Sequence, residues 1–576
     1  MSGMLRDRKT PGVYVTELTA FPPSAVGLET AVPAFVGYTE RADIRGRSVL
    51  MTPVRIGSLA EFNDVFGGPP RTQLRFEDAS EADVAAQDFD VEYEAFPAPG
   101  VETDGPLAPV RKKLVPTGEV GLLYASLNLF YANGGAVCYI VSVGKYPQAV
   151  DATALKNGVT ALEDQVGPTM LVVPDLSLLP HEGVRVPGFR EVAVEMLNQC
   201  REKQDRVAIF DVVHAQGLGP KPATGALAAA ITQFRADVDH DDRDFGIAYM
   251  PDLHTSILKP ADIKYTVFER SGFIEFLLNE ATRLFPNPRS ADVQTLVETL
   301  RFHFRDGVPT DPAKRKEAET QLEAGLALLR QTNPAGARSL QFLVTDPSPQ
   351  DLSNVEAVTT RDQNLTNAFP ALTTLDGLAA RRLNRLPASP AMVGVMTTTD
   401  STRGVWNAPA NVALNAVYEP TLKINNDDQA DLNKPIDGKA INVVREFVGR
   451  GAVVWGARTL DGNSNDHRYV QVRRTLIYIE QSVKAALNQF VFAANDGKTW
   501  VSVSSMVSNF LHDLWAKGGL MGATPAEAFS VECGLGTTMT GRDVLEGYMV
   551  VQVLVQMVHP AEFIELTFKQ KMEGVA

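Results

Sequence analysis

The sequence predicts an α/β protein of several domains, and three observations carry that expectation. Short apolar runs recur through the first 250 residues with helical stretches between them. A mostly helical segment, near residues 258–386, interrupts the pattern. Strand-forming sequence stands at both ends of the chain. The chain has 576 residues, 44% hydrophobic and 21% charged, which excludes a largely disordered polypeptide. At roughly 150 residues per domain, about four domains are expected.

Taken in order, residues 1–22 read as an arm. VYVTEL at 13–18 alternates like a strand between Pro11-Gly12 and Pro22-Pro23, and a lone strand must pair with something else. The runs PAFVGY (33–38), VCYIVSV (137–143), TMLVVPD (169–175), RVAIFDV (206–212) and FGIAYMPD (245–252) read as buried strands. Helical sequence separates several of them, at 122–135 and 192–203, so a mainly parallel, covered sheet follows. Between Arg75 and Arg111 there are ten acids and no basic residue, with four prolines near the end, which predicts an exposed insertion or flexible loop. PTDP at 309–312 supplies a helix start, and Leu322, Leu326 and Leu329 share one helix face beyond it. Two further helices are expected at 474–488 and 503–515. Strand candidates follow at 548–558 and 562–571, where Ile564, Leu566 and Phe568 alternate with polar residues.

Composition and motif spacing narrow the chemistry. The net charge of −15 makes the average field repel nucleic acid. Three cysteines, widely spaced and without CxxC, argue against a disulfide framework or structural zinc, and Cys138 and Cys200 stand in apolar contexts that predict buried, inert thiols. The opening MSGMLRDRKTPG has no apolar signal core. Residues 548–558, broken by Gln552 and Gln556, are too short to span a bilayer. GKT at 497–499 has Phe492 where a phosphate loop needs glycine, and predicts a turn before Trp500. GLGTTM at 534 lacks a third glycine and follows no clear strand. DVDHDDRD at 237–244 has Asp242 and Ala248 where a calcium loop needs glycine and glutamate, and reads as a solvated acidic loop. No HExxH, His/Cys cluster or GxSxG occurs, and His181 and His559 read as surface or packing residues. The expectation is a chain that is not an enzyme and has no cofactor, no metal and no catalytic residue.

Longer segments carry a resemblance. TPGVYVTEL at 10–18, TAVPAFVGYTE at 30–40, SLAEFNDVFGG at 58–68 and FYANGGAVCYIVSVG at 130–144 resemble the opening of contractile tail sheath proteins, the family of phage tail sheaths and contractile injection systems. TTDSTRGVWNAPAN at 398–411, INVVREFVGRGAVVWGARTL at 441–460, RYVQVRRTLIYIEQSV at 468–483 and HPAEFIELTFKQ at 559–570 continue it in order. The co-linear match covers about the first 250 and last 190 residues. RTLDGNSNDHRY and the segment 534–547 look closer to injection systems than to a long-tailed phage.

The resemblance implies an inner sheath domain built from both termini, an α/β middle domain and an outer, mainly helical insertion. The implied boundaries are an arm at 1–22, a middle domain at 23–257 with the acidic insertion at about 69–115, a helical insertion at 258–389, the inner domain at 390–560 and a C-terminal arm strand at 561–576. It implies a structural subunit that polymerises with itself, as six-subunit rings in a helical stack, around an inner tube protein, and that contracts to drive the tube through an envelope. Baseplate and terminator proteins are the further partners, and no nucleic acid or direct membrane insertion is implied. Assembly is expected in the cytoplasm, within a phage or injection-system particle. Val13, Tyr14, Val15, Glu17, Ile564, Leu566 and Phe568 are the implied intersubunit arm residues. Asp400, Arg403, Asn411, Arg458, Arg473 and Arg474 match polar positions of the inner domain, as intersubunit or core ion pairs or as intrachain turn and helix bonds. His512 and Lys517 are the implied tube-facing contacts. The rival reading is an α/β enzyme or nucleotide-binding protein that carries extended arms.

Overall fold

A computed structural model describes residues 27–94, 109–282, 312–338 and 354–563. These form two compact units, one of Glu29–Ile477 and one of the chain up to Leu28 together with Tyr478 onward. Val13, Tyr14, Val15, Glu17, Ile564, Leu566 and Phe568 lie outside the described residues.

The larger unit is organised by an eight-stranded sheet. Its strands are β1 (Pro33–Thr39) and β2 (Val54–Ile56), then, after an excursion, β6 (Cys138–Lys145), β7 (Met170–Val172), β8 (Val207–Asp211), β9 (Gly246–Met250), β10 (Asn442–Phe447) and β11 (Gly451–Trp455). The spatial order is β11-β10-β9-β8-β7-β1-β6-β2. From β6 to β10 all neighbours are parallel, and the two edge pairs are antiparallel. Four of the five predicted apolar runs are buried at every strand position, and in β6 only the last residue is exposed. That is why these runs are continuous rather than alternating: helices cover both faces. The helices α1 (Leu123–Ala132), α2 (Ala152–Thr160), α3 (Phe189–Lys203) and α4 (Ala226–Asp237) supply the layers. Phe35 of β1 meets Phe130 of α1 edge-on, with ring centroids 5.4 Å apart. Burial of each such ring contributes about 2–3 kcal/mol.

Of the two readings its composition allows, an exposed insertion or a flexible loop, the excursion after β2 is not the flexible loop among the described residues. β3 (Thr72–Asp78), β4 (Val91–Glu94) and β5 (Pro109–Gly118) form an antiparallel sheet in the order β3-β5-β4. Four of the acids pair with the basic residues that end the acidic run. Lys113 Nζ lies 2.8 Å from Asp83 and 2.6 Å from Asp88, Lys112 pairs with Asp78, and Arg111 with Glu92. Asp90 turns inward and accepts the Leu114 N–H at 2.7 Å. Glu102 and Asp104 lie outside the described residues.

This sheet and the helical segment share a second core. Leu74, Val91 and Leu114 are buried with residues of α5 (Arg270–Thr282), α6 (Pro312–Thr332), α7 (Val355–Ala368) and α8 (Ala371–Leu383). Leu326 and Leu329 are in that core, while the side chain of Leu322 lies outside the described residues. The acidic stretch and the helical stretch, read separately in the sequence, are therefore halves of one substructure.

Residue 390, the boundary the resemblance implies, crosses no gap in the structure. α9 (Ser389–Arg403) packs on α1 so closely that a Cβ at Gly394 would stand 2.7 Å from the Phe130 carbonyl oxygen. β10 and β11 complete the main sheet. The division between the two units falls instead at Ile477/Tyr478, within α10 (Val470–Leu487).

Candidate assembly surface

The smaller unit is built on α11 (Gly497–Ala516), which buries Val503, Met506, Val507, Phe510, Leu511 and Leu514 in one stripe. Asp496 caps it, its carboxylate accepting the Thr499 N–H at 3.0 Å. The Gly497–Thr499 run is therefore the first helical turn and not a loop before Trp500. An acid also sits where a phosphate would have to bind. Tyr478 stacks near Phe510 at 5.9 Å, and Leu28 donates its N–H to Ser482 Oγ at 3.3 Å, which ties the N-terminal side of the chain into this unit.

After α11 the chain forms a two-stranded antiparallel ribbon, β12 (Phe529–Glu532) with β13 (Gln552–Val555), paired from Phe529↔Val555 to Glu532↔Gln552. Residue 534 thus does follow a strand, but the glycines there form a turn in which Gly534 O accepts the N–H groups of Thr538 and Met539. Phe529, Val531, Val553 and Val555 take the inward side, and Leu554 on the other side is 59% exposed. No third strand joins this ribbon among the described residues. A ribbon of two four-residue strands is marginal alone, and its outer edges present backbone groups that can pair with another strand. More than half of the large apolar side chains exposed among the described residues belong to this unit, Phe492, Leu545, Tyr548, Leu554 and Phe563 among them.

The polar residues that the resemblance implied fall in the larger unit, in intrachain contacts. Arg474 Nη2 lies 2.6 Å from Asp400 Oδ2, with both side chains nearly fully buried, and Thr30 Oγ1 donates to the same oxygen at 2.6 Å. Arg458 is buried, donates to Gly462 O at 2.8 Å and lies over the Tyr469 ring. Arg473 stands over the Phe245 ring at 3.6 Å, with Asp244 3.5 Å away. Asn411 adopts φ 59° and accepts from Arg450 Nη2 at 2.9 Å. Arg403 is exposed at the end of α9. In the smaller unit His512 and Lys517 are exposed near the C-terminal end of α11, His512 lying 5.6 Å from the Trp515 ring.

Other sequence candidates resolve into packing. Residues 237–244 do not converge on a cation site: Asp239 pairs with Lys439, Asp237 with His214 and Asp244 with Arg473. Asp239 and Asp244 are ion-paired and Asp237 is hydrogen-bonded to a buried imidazole, rather than simply solvated. Cys138 and Cys200 are buried, and burial pushes the Cys138 thiol up to about 12, far from a reactive thiolate. Among the described residues no group of His, Cys, Asp or Glu is placed to hold a metal, and no helix is long and apolar enough to cross a membrane.

Residues 463–571 match the family model of the phage tail sheath C-terminal domain. A structure of the PVC sheath complex, an extracellular contractile injection system in its contracted state, aligns with 98% of this chain and 98% of its own, at 22% identity and a TM-score of 0.53. The helical sheath of the anti-feeding prophage in its contracted state aligns with 98% of this chain and all of its own, at 22% identity and a TM-score of 0.52. Among curated proteins, none matches the chain. Residues 463–571 thus resemble a phage tail sheath C-terminal domain, and the fold of the chain is similar to that of contractile sheath subunits.

Proposed function

We propose that the chain is a structural subunit of a contractile sheath, which polymerises around an inner tube and drives it through a target envelope. The observation that carries this reading is the β12–β13 ribbon. It is too small to stand alone, is joined by no third strand among the described residues, and is followed in the chain by the alternating residues Ile564, Leu566 and Phe568. Arms from neighbouring copies, with Val13, Tyr14, Val15 and Glu17 on one and Ile564, Leu566 and Phe568 on the other, would add strands to it. Main-chain bonds then give affinity, and alternate side chains give register. A contact that adds strands head to tail without closing generates an open helical polymer. Two alternative packings of near-rigid subunits, linked throughout by the arms, would convert the difference in buried interface into the stroke.

The supporting fold comparisons are with sheaths of injection systems, and a released particle of that type is the proposed setting. The inner tube, baseplate and terminator proteins are the proposed partners, with His512 and Lys517 as candidate tube contacts. The role is structural. The rival reading, a nucleotide-binding protein with arms, finds no support in the acid-capped helix turn at Gly497–Thr499. Deleting residues 1–20 tests the proposal: the variant should stay folded and soluble but form no tubes under negative-stain microscopy. Tubes of normal length would refute it.

A further inference from the structure

The five central parallel strands run in the order β6-β1-β7-β8-β9, so the chain winds from β1 to one side and then crosses to β7 on the other. The crevice between the carboxyl ends of β1 and β7 is the topological switch point. In open sheets of this order it is where anionic ligands bind, against the N-terminus of the helix that follows the first strand.

Here that position is filled from within. Asp175 lies just beyond β7, and its side chain reaches across to β1. Its Oδ2 accepts the Tyr38 N–H at 2.7 Å and its Oδ1 accepts the Leu122 N–H at 2.7 Å. Leu122 and Leu123 begin α1, which has no side-chain cap of its own. Asp175 is completely buried. The close approach needs Gly37, because a Cβ there would stand 2.6 Å from Asp175 Oδ2 and 3.2 Å from Leu123 Cβ. The next strand repeats the device. Asp211, at the end of β8, accepts from Ser389 N at 2.8 Å and Ser389 Oγ at 2.5 Å at the start of α9, another helix without its own cap. Beyond β9, Asp252 is held by Arg385 at 3.3 Å and Gln216 at 3.2 Å.

We infer that Asp175 is an internal anion: its carboxylate occupies the switch-point anion site of this sheet, and its removal opens a pocket for a small planar carboxylate. The two N–H donors, the α1 terminus and Gly37 remain when the side chain is cut back, so the vacated space keeps the chemistry of a carboxylate site. Cutting Asp175 back to alanine removes one carboxylate group, so that space is the size of formate.

The test is thermal unfolding of the full chain, as wild type, Asp175→Ala and Asp175→Asn, titrated with sodium formate against sodium chloride at equal ionic strength. Asp175→Ala should melt below wild type, and formate should raise its Tm saturably and beyond chloride. Wild type and Asp175→Asn, whose sites stay filled, should show no such excess. Equal responses of Asp175→Ala to the two salts would overturn the inference, as would a saturable formate effect on wild type. If Asp175→Ala aggregates, its refolding yield in formate against chloride is read instead, with a formate-specific gain expected and equal yields counting against the internal-anion role.

Discussion

Arg474 and Asp400 form a buried ion pair, Nη2 to Oδ2 at 2.6 Å, that joins α10 to the end of α9. Arg474 also donates to Thr30 O at 3.2 Å, so the pair anchors the chain just before β1. Breaking a buried pair strands the surviving charge and costs about 3–5 kcal/mol, whereas replacing both partners with apolar groups of similar volume can be nearly neutral. Asp400→Asn and Arg474→Met should each lower subunit stability by about that amount in chemical denaturation, and Asp400→Leu/Arg474→Met should recover most of it. Loss of polymerisation with unchanged subunit stability would instead place the pair's role between subunits.

The ribbon gives the converse expectation. Leu554 is largely exposed in the subunit, so Leu554→Asp should change its stability by no more than about 0.5 kcal/mol. If neighbouring arms cover that face, the same change puts a charge into a buried sheet and blocks tube formation. Sedimentation and negative-stain images of the purified variant decide it, since tubes at wild-type yield would mean that the face stays open in the assembly.

Asp211 sets a pH dependence. Burial, the largest effect, pushes its carboxyl up from 3.8 to about 7, against the hydrogen bonds from Ser389. A group whose folded value is raised binds its proton more tightly in the native state. Its stabilising contribution is therefore full below about 3.8 and is lost as pH rises through about 7. The unfolding free energy of wild type relative to Asp211→Asn should fall between pH 4 and 7, by at most about 1.4 kcal/mol per unit, and level off above. A difference that grows with pH across that window would contradict the assignment.

The main sheet is legible in the sequence because strands buried on both faces must be apolar throughout, and β1, β6, β7, β8 and β9 coincide with the five runs. The outer sheet is hidden for the opposite reason. Asp78 and Glu92 are paired across strands with Lys112 and Arg111, and Asp83 and Asp88, between β3 and β4, with Lys113; such pairing erases the alternation that marks a half-buried strand while leaving the composition of a solvated loop. The unit boundary at Ile477/Tyr478 is equally invisible locally, since β10 joins β9 through Tyr249↔Asn442, a pairing between distant segments. The arm residues fall outside the described residues, so of the proposed assembly surface only the ribbon is described. The aspartates closing β7, β8 and β9 stand in plain view as VVPD, IFDV and YMPD. Nothing local reveals that each carboxylate turns back onto the chain.

Lys113 concentrates the charge balance of the outer sheet in one side chain. It is 19% exposed and holds both Asp83 and Asp88. Despite some desolvation, its bonds and those from Ser80 bring the Asp83 carboxyl down to about 2. Replacing Lys113 with Met leaves two facing carboxylates without their cation, a loss of about 1.5–3 kcal/mol for hydrogen bonds to a charged group. The loss should be confined to β3–β5 and the helices of the second core, because the main sheet is a separate hydrophobic cluster. Hydrogen exchange should therefore accelerate in β4 and β5 while β1, β7 and β8 keep their protection. Acid should act similarly on the wild-type sheet. Asp83's contribution, from a lowered carboxyl, is present above 3.8 and fades as pH falls toward 2. Uniform acceleration across both cores in Lys113→Met would show that the outer sheet and the main sheet unfold as one cooperative body.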